Sequence, residues 1–190
     1  MTPTRFSLSV SFKGDRTYLQ SADIFNEIVA HTGAMRGLSL SFRHLLSHGL
    51  DAIDAGSCDD PSSFPARFRG DGVKGKIDLV ISETGRTISE RIPYDEEAVV
   101  QDSEIAGFSI SSRSGGDASL MERIVALNKR LIHQTLKPGK KLLFTNVILT
   151  ELLPPDAPLT LTLDAHLGSR LFRSSIHSGV KIGEIAFYGV

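Results

Sequence analysis

The chain has 190 residues, of which 41% are hydrophobic and 23% are charged, and its formal net charge is −1. This composition is typical of a globular protein, and the near-zero charge provides no global positive field that would draw the chain to nucleic acid or to an anionic membrane. A single cysteine, Cys58, excludes an internal disulfide and a zinc site built from several cysteines. No apolar run approaches membrane-spanning length and the N-terminus lacks an apolar signal-peptide core, so we expect a cytoplasmic protein with no nucleic-acid or membrane partner.

The first half of the chain begins with a strand pattern and then a helix pattern. Residues 6–12 alternate strictly between apolar and polar side chains, which predicts a half-buried strand with Ser11 facing solvent. Ser21 is the predicted N-cap of a helix of about three turns, with Asp23 in its first turn. Gly33 is the predicted C-terminal stop of this helix.

Further strands are indicated by apolar residues at every second position. In chain order we expect a long or bent strand within 38–53, a loop over 55–65, a hairpin over 73–92 that turns at 84–86, and another strand over 104–110. The first half therefore has the pattern of one helix followed by an antiparallel sheet.

The second half begins with a longer helix. Ser119 and Glu122 have capping-box spacing at its start, and the segment 137–140, Lys-Pro-Gly-Lys, ends it after about Leu136. The alternation that follows predicts a strand over 142–153, a hairpin within 159–176 turned at Gly168, and a closing strand over 183–188.

The two predicted helices resemble each other. The apolar residues of the first and their counterparts in the second are Ile24 and Leu120, Phe25 and Met121, Ile28 and Ile124, and Val29 and Val125. Each set forms a wide apolar stripe. Strand-like segments, a glycine-turned hairpin and a Glu-Ile-Ala strand follow each helix, so the order predicts a tandem repeat with copies at 1–113 and 114–190. Chance similarity between short amphipathic segments is the alternative.

The segment from Phe144 to Leu161, with its Pro-Asp-Ala-Pro turn at 155–158, is similar to the strand, turn and strand of hotdog-fold acyl-thioester dehydratases. The resemblance covers most of 114–190 and, through the repeat, 5–113. It implies an α+β double hotdog, in which two curved antiparallel sheets each wrap a central helix to form one pseudo-dimeric unit. It also implies a dehydratase or thioesterase acting on acyl-CoA or acyl carrier protein. The phosphopantetheine arm would be part of the substrate, with no separate cofactor, and double hotdogs would associate as homodimers or higher oligomers.

The segment Phe12-Lys13-Gly14-Asp15 is similar to a fragment of the hydroxydecanoyl-carrier-protein dehydratase motif. That motif has a catalytic histidine immediately before the phenylalanine, where this chain has Ser11. The Asp-x-Asn-Pro-x-His motif of the hydratase branch is missing from the sequence. These departures leave open a non-catalytic acyl- or lipid-binding module, an acyltransferase or decarboxylase of secondary metabolism, and a structural role.

Four residues are catalytic candidates: Asp23, Asn26, Tyr18 and His133. Asp23 and Asn26 lie one turn apart on nearly one helix face, where Asp23 would act as a base and Asn26 would orient water or substrate. Free N–H groups at the helix N-terminus would polarise the thioester carbonyl. Tyr18 is the reactive group expected of an acyltransferase or decarboxylase, and His133 lies late in the second helix. Helix capping, surface exposure and core packing are the alternative explanations.

Three further residues are substrate-binding candidates. Arg16 precedes the first helix, and Lys137 and Lys140 belong to a basic cluster at the end of the second helix. This cluster can meet a phosphate group or an acidic carrier surface, although lysines in that position also complement the helix dipole. The histidines lack the spacing of a metal-binding helix, so we expect no metal.

Overall fold

A computed structural model describes residues 5–114 and 116–190. The chain divides between Tyr94 and Asp95 into two compact units. Within the described ranges, no helix has the length and apolar character needed to cross a membrane. The repeat boundary expected between residues 113 and 114 stays a prediction, because it concerns sequence correspondence rather than compactness.

Unit 1 places one long helix on an antiparallel sheet. Its elements are β1 (Arg5–Leu8), β2 (Phe12–Lys13), α1 (Ser21–Thr32), β3 (Ala34–Phe42), β4 (Leu50–Asp54), β5 (Ala66–Gly72), β6 (Gly75–Glu83) and β7 (Arg91–Ile92). The strand order of the sheet is β1-β4-β6-β5-β3, and α1 packs on β1, β3 and β5. Strands β2 and β7 form a separate parallel pair in which Phe12 lies opposite Arg91.

Helix α1 buries the apolar stripe that its sequence predicts. The buried residues are Ala22, Ile24, Phe25 and Ile28. The ring of Phe25 meets that of Phe68 edge to face, with centroids 5.8 Å apart. Gly33 ends the helix in the left-handed region, with φ of 65°, as predicted. The N-cap is Gln20 rather than the predicted Ser21, and no side-chain hydrogen bond caps the helix.

Three strand predictions for unit 1 are wrong. The segment 6–12 is not one strand, because β1 ends at Leu8 and β2 starts at Phe12. The segment 38–53 is not one strand, because β3 ends at Phe42 and β4 starts at Leu50. The hairpin is formed by β5 and β6, so the chain reverses at 73–74, and the predicted turn at 84–86 follows β6. Alternating apolar residues continue through both of these strands, and such a pattern does not mark where a chain reverses.

Unit 2 also places its long helix on an antiparallel sheet. Its elements are α2 (Glu96–Val100), β8 (Ser103–Ala106), β9 (Ser109–Ser112), α3 (Leu120–Leu136), β10 (Leu142–Glu151), β11 (Leu159–Leu167), β12 (Leu171–Ser178) and β13 (Val180–Gly189). The strand order is β10-β13-β12-β11-β9-β8, and α3 packs on β9, β11 and β12. The bounds of α3, its capping box, the Gly168 hairpin and the closing strand agree with prediction.

The segment 104–110, predicted as one strand, is the hairpin of β8 and β9. It turns at Gly107, whose φ is 59°. Strand β9 pairs with β11, so the Glu-Ile-Ala sequence of β8 lies at the end of the unit 2 sheet. The repeat prediction requires this sequence to close the sheet of unit 1, and it does not.

The two sheets also differ in strand order. In each unit, the first strand after the long helix, β3 or β10, lies at one end of the strand order given above. The second strand after the helix, β4 or β11, pairs with a strand that precedes the helix. The last two strands then insert differently: unit 1 has β5 beside β3 and β6 beside β4, whereas unit 2 has β13 beside β10 and β12 beside β11. Residues 55–65 make the crossover of unit 1 and contain two 3-10 turns.

Candidate functional site

The N-terminal end of α1 carries a half-buried ion pair. Lys13 Nζ donates a hydrogen bond to Asp23 Oδ1 at 2.6 Å, and the two side chains are 12% and 17% exposed. Lys13 is held in place by the β2–β7 pair, since the next residue, Gly14, donates its N–H to the carbonyl of Ile92 at 2.9 Å. Asp23 lies in the first turn, where the helix dipole favours a carboxylate. The pair therefore ties the start of the helix to β2.

Cationic side chains gather on the aromatic rings beside this pair. Lys13 Nζ lies 5.2 Å from the centroid of the Tyr94 ring, and the guanidinium carbon of Arg16 lies 5.0 Å from it. Arg91 lies 5.3 Å from the ring centroid of Phe12, and it donates a hydrogen bond to the carbonyl of Arg16 at 3.0 Å. These distances are within the range of cation–π attraction. The cluster is suited to an anionic group of a ligand.

Glu27 connects α1 to one wall of a groove. Its Oε2 accepts a hydrogen bond from the N–H of Ser9 at 3.2 Å. The groove has a volume of about 400 Å³ and lies between the segments 7–10 and 86–90. The second wall begins with an arginine and ends with a glutamate. Both walls are rich in serine and threonine, so the groove suits an extended polar group.

Ser11, expected to face solvent, is buried instead. It is 8% exposed, and its hydroxyl donates a hydrogen bond to Glu90 Oε2 at 2.9 Å. The pairing of β2 with β7 brings Glu90 next to Ser11, although the two segments are about eighty residues apart in the sequence. The position that holds a histidine in the dehydratase motif is therefore occupied by a hydrogen-bonded serine.

The candidate residues fall into two sets. At the start of α1 in unit 1, the half-buried members are Arg16, Tyr18, Asp23 and Asn26. At the C-terminal end of α3 in unit 2, His133 and Lys137 are exposed and Lys140 is half-buried. Lys137 is the C-cap of α3, with φ of 45°. The catalytic and binding roles of all seven residues stay predictions.

Other polar residues near the start of α1 carry weaker sequence signals or none. Glu27 follows Asp23 by four residues, a spacing that places both on one helix face and identifies it in retrospect. Tyr94 and Glu90 carry no local signal, because a long-range parallel pairing brings their segment to β2. Lys13 belongs to the motif-like segment 12–15, which carries no signal for an ion pair with Asp23.

The groups at the start of α1 suit proton transfer and the stabilisation of an oxyanion. A carboxylate can take a proton from water, and the free N–H groups of a helix N-terminus can polarise a carbonyl. In the part of the chain that the structure describes, no three histidine, cysteine or carboxylate side chains are grouped as a metal site requires.

Three solved structures resemble this chain over nearly their whole lengths. A tesB protein of Mycobacterium avium subspecies paratuberculosis has a TM-score of 0.55 and 10% identity, with 98% of this chain and 93% of that chain covered. A monomeric dehydratase domain from a trans-AT polyketide synthase split module has a TM-score of 0.52 and 11% identity, with 99% and 98% covered. GphF Dehydratase 1 has a TM-score of 0.51 and 8% identity, with 99% and 93% covered.

These likenesses show the fold. A tesB protein and dehydratase domains are among the similar structures, and the chain has a hotdog-like α+β fold, as its sequence predicts. No family model matches the chain, and no curated protein matches it in sequence.

Proposed function

We propose that the chain is a double hotdog that hydrolyses an acyl thioester of coenzyme A or acyl carrier protein. The observation that carries the proposal is the half-buried pair of Lys13 and Asp23 at the N-terminus of α1. The fold supports it, because the similar structures include a tesB protein and dehydratase domains. Hydrolysis is favoured over dehydration because Ser11 stands in place of the dehydratase histidine.

In this reaction Asp23 accepts a proton from a water molecule whose oxygen attacks the thioester carbon. Asn26, one turn later, orients that water. The N–H groups at the start of α1 stabilise the negative charge on the carbonyl oxygen. The carbon–sulfur bond then breaks, and the proton held by Asp23 passes to the leaving thiolate, which leaves a carboxylic acid and a free thiol. Lys13 keeps the carboxylate in position through its hydrogen bond.

The cationic side chains have a separate role in the proposal. Arg16, with Arg91 beside it, would bind the phosphate of the phosphopantetheine arm. Lys137 and Lys140, at the end of α3, would offer positive charge to a phosphate group or to an acidic surface of the carrier. The groove lined by 7–10 and 86–90 would hold an extended, amide-bearing part of the arm, because its walls offer hydroxyl and backbone hydrogen-bonding groups.

A non-catalytic acyl-binding module is the second candidate. The observation that favours it is the same short contact, because the ammonium group of Lys13 lies 2.6 Å from the Asp23 oxygen that would have to take a proton from water. In that case the chain would bind acyl thioesters without turning them over.

The test is a panel of acyl-CoA and acyl-carrier substrates, followed by release of free thiol and by enoyl absorbance. We expect Asp23→Asn to lower kcat by about a hundredfold or more in a protein that stays folded at the assay temperature, with a lower melting temperature because the ion pair with Lys13 is lost. Asp15→Asn is the matched control, because Asp15 is exposed in the neighbouring turn, and it should retain full activity.

Other outcomes separate the alternatives. Full activity of Asp23→Asn would contradict the assignment of the base. Binding of acyl thioesters without turnover would identify the module. Enoyl formation without thiol release would identify a dehydratase. Loss of activity only in Tyr18→Phe would favour the acyltransferase or decarboxylase, and loss only in His133→Gln would move the site to α3.

A further inference from the structure

The face of the unit 1 sheet that points away from α1 is charged. Side chains of a strand alternate between its two faces. In β5, Ala66 and Phe68 are buried on the α1 side, so Arg67, Arg69 and Asp71 share the outer face. Every carboxylate described below on this face has two cationic side chains beside it.

Asp51 of β4 is the centre of the first cluster. Arg5 donates to its Oδ2 through Nε at 3.0 Å and Nη2 at 2.8 Å, and Arg86 Nη2 lies 3.2 Å from Oδ1. The Ser7 hydroxyl donates to Oδ1 at 2.7 Å. The hydrogen bonds from Ser7 and Arg5 hold the pKa of Asp51 below its usual range. The two arginines and one carboxylate together carry one net positive charge.

Asp78 of β6 is the centre of the second cluster. Arg67 makes a bidentate contact with it, through Nε at 2.7 Å and Nη2 at 2.6 Å, and Arg69 Nε lies 3.5 Å from its Oδ2. A third cluster lies near the turn of the β5–β6 hairpin. In the strand register, Asp71 of β5 lies opposite Arg36 of β3 and Lys76 of β6. These clusters also each carry one net positive charge.

This face is therefore positive although the whole chain has a net charge of −1. Its guanidinium groups are both exposed and fixed: the side chains of Arg5, Arg69 and Arg86 are 65%, 55% and 56% exposed, while carboxylates hold their positions. A positive patch raises the encounter rate with an acidic partner, and arginines fixed in advance lose less side-chain entropy on binding.

We propose that this face docks the acidic surface of a carrier protein that delivers the acyl thioester. The inference rests on the proposed function, which leaves coenzyme A and a carrier protein as alternatives. Asp51, Asp71 and Asp78 interrupt the positive charge and would repel a continuous polyanion such as nucleic acid. A folded protein can instead place acidic groups against the arginines and neutral or basic groups against the carboxylates, which is the complementarity of protein interfaces.

The experiment presents one acyl group in two forms, as acyl-CoA and as acyl carrier protein. The variant is Arg36→Glu/Lys76→Glu, two exposed changes outside the candidate site. We expect kcat/KM for the carrier substrate to fall about tenfold at low salt, through KM, and kcat/KM for acyl-CoA to be unchanged. Rising salt should reduce the difference. Arg113→Glu/Arg170→Glu is the matched control, because it makes the same charge change at exposed residues of unit 2.

Equal losses with both substrates, or the same loss in the control, would overturn the inference and leave the proposed function standing. If neither substrate is turned over, the proposed function fails, and calorimetric titration with the carrier protein decides the docking alone. Salt-sensitive binding that is lost in Arg36→Glu/Lys76→Glu supports the face. No binding, or binding of duplex DNA or phosphatidylserine vesicles in its place, overturns it.

Discussion

The outer faces of the two sheets have opposite characters. In unit 2, apolar side chains lie opposite one another across four neighbouring strands: Leu167, Leu171, Tyr188 and Leu143. The first three are 72%, 44% and 40% exposed. In unit 1, a comparable row across four strands begins and ends with an arginine: Arg5, Ile53, Val80 and Arg67. A hotdog-like sheet constrains the side chains that face its helix, and it leaves the outer face free to acquire charge or apolar surface.

The helix faces show the opposite trend. Matched positions of α1 and α3 have the same burial: Ile24 and Leu120, Phe25 and Met121, and Ile28 and Ile124 are buried in both, and Val29 and Val125 are half-buried. The polar residues diverge. Glu27 corresponds to Arg123, and each binds backbone groups of its own unit, Glu27 as an acceptor and Arg123 as a donor. Because Arg123 is buried and Glu27 is half-buried, we expect loss of the side chain to lower the free energy of unfolding more at Arg123 than at Glu27.

The largest effect is expected at Arg123, which is fully buried. It donates to the carbonyls of Pro155 and Ala157, and burial lowers the pKa of its guanidinium group. Arg123→Ala leaves these carbonyls without their donor and leaves a cavity, so it should lower the free energy of unfolding by about 3 kcal/mol or more in denaturant titrations. Glu27→Ala, at the matched but half-buried position, should cost about 1 kcal/mol or less. Equal costs would remove the distinction between the helices.

The second largest effect on stability is expected on the charged outer face of unit 1. Asp51→Asn removes the centre of an arginine cluster and should cost about 2 kcal/mol at neutral pH. Because the folded-state pKa of Asp51 is lowered, its stabilisation is present above the ordinary value of 3.8 and is lost as pH falls through the folded-state pKa. Wild type should therefore lose more stability than Asp51→Asn between pH 5 and pH 2. Asp164→Asn of unit 2 is the control, since the Ser175 hydroxyl is its hydrogen-bond donor, and it should leave this pH dependence intact.

The smallest effect concerns the helix N-termini. The Ser119 hydroxyl accepts a hydrogen bond from the N–H of Glu122, whereas Gln20 makes no side-chain cap of α1. Ser119→Ala should lower the free energy of unfolding by about 1 kcal/mol. Gln20→Ser should raise it by a similar or smaller amount, because the hydroxyl can bond an unsatisfied N–H. A loss of stability in Gln20→Ser would show that the glutamine has another structural role.

Local signals predict the fold best where they are redundant. Helix α3 has a capping box at Ser119 and Glu122 and a Lys-Pro-Gly stop, and its bounds are correct. The hairpin of β11 and β12 has alternating leucines on one side of Gly168. The turn between β5 and β6 is marked by Gly72 and Gly75 on either side of Val73 and Lys74, but Gly85 is a competing turn signal in the same stretch. The strand order is beyond local pattern in both units, since it depends on a crossover through 55–65 in unit 1 and through 152–158 in unit 2.

The candidate site is predictable only along α1. Asp23 and Asn26 follow from helical spacing, and Glu27 extends the same face. The contact of Asp23 with Lys13 and the burial of Ser11 depend on the pairing of β2 with β7, two strands about eighty residues apart in the sequence. No periodicity within a short window reports such a pairing, so the chemistry around Asp23 required the three-dimensional structure.

The crossover of unit 1 has a consequence for the order of folding. In unit 2, β11, β12 and β13 are neighbours in sequence and in space, so two hairpins can form from local contacts. In unit 1, β4 meets β6 only after the chain has passed through β5, and a long loop must close before that pairing contributes stability. Strand β10 of unit 2 likewise pairs with β13 only after β11 and β12, so we expect the meander of β11, β12 and β13 to form before either complete sheet. Until β6 inserts, the unpaired edge of β4 is open to strands of other chains, which makes this edge aggregation-prone during refolding.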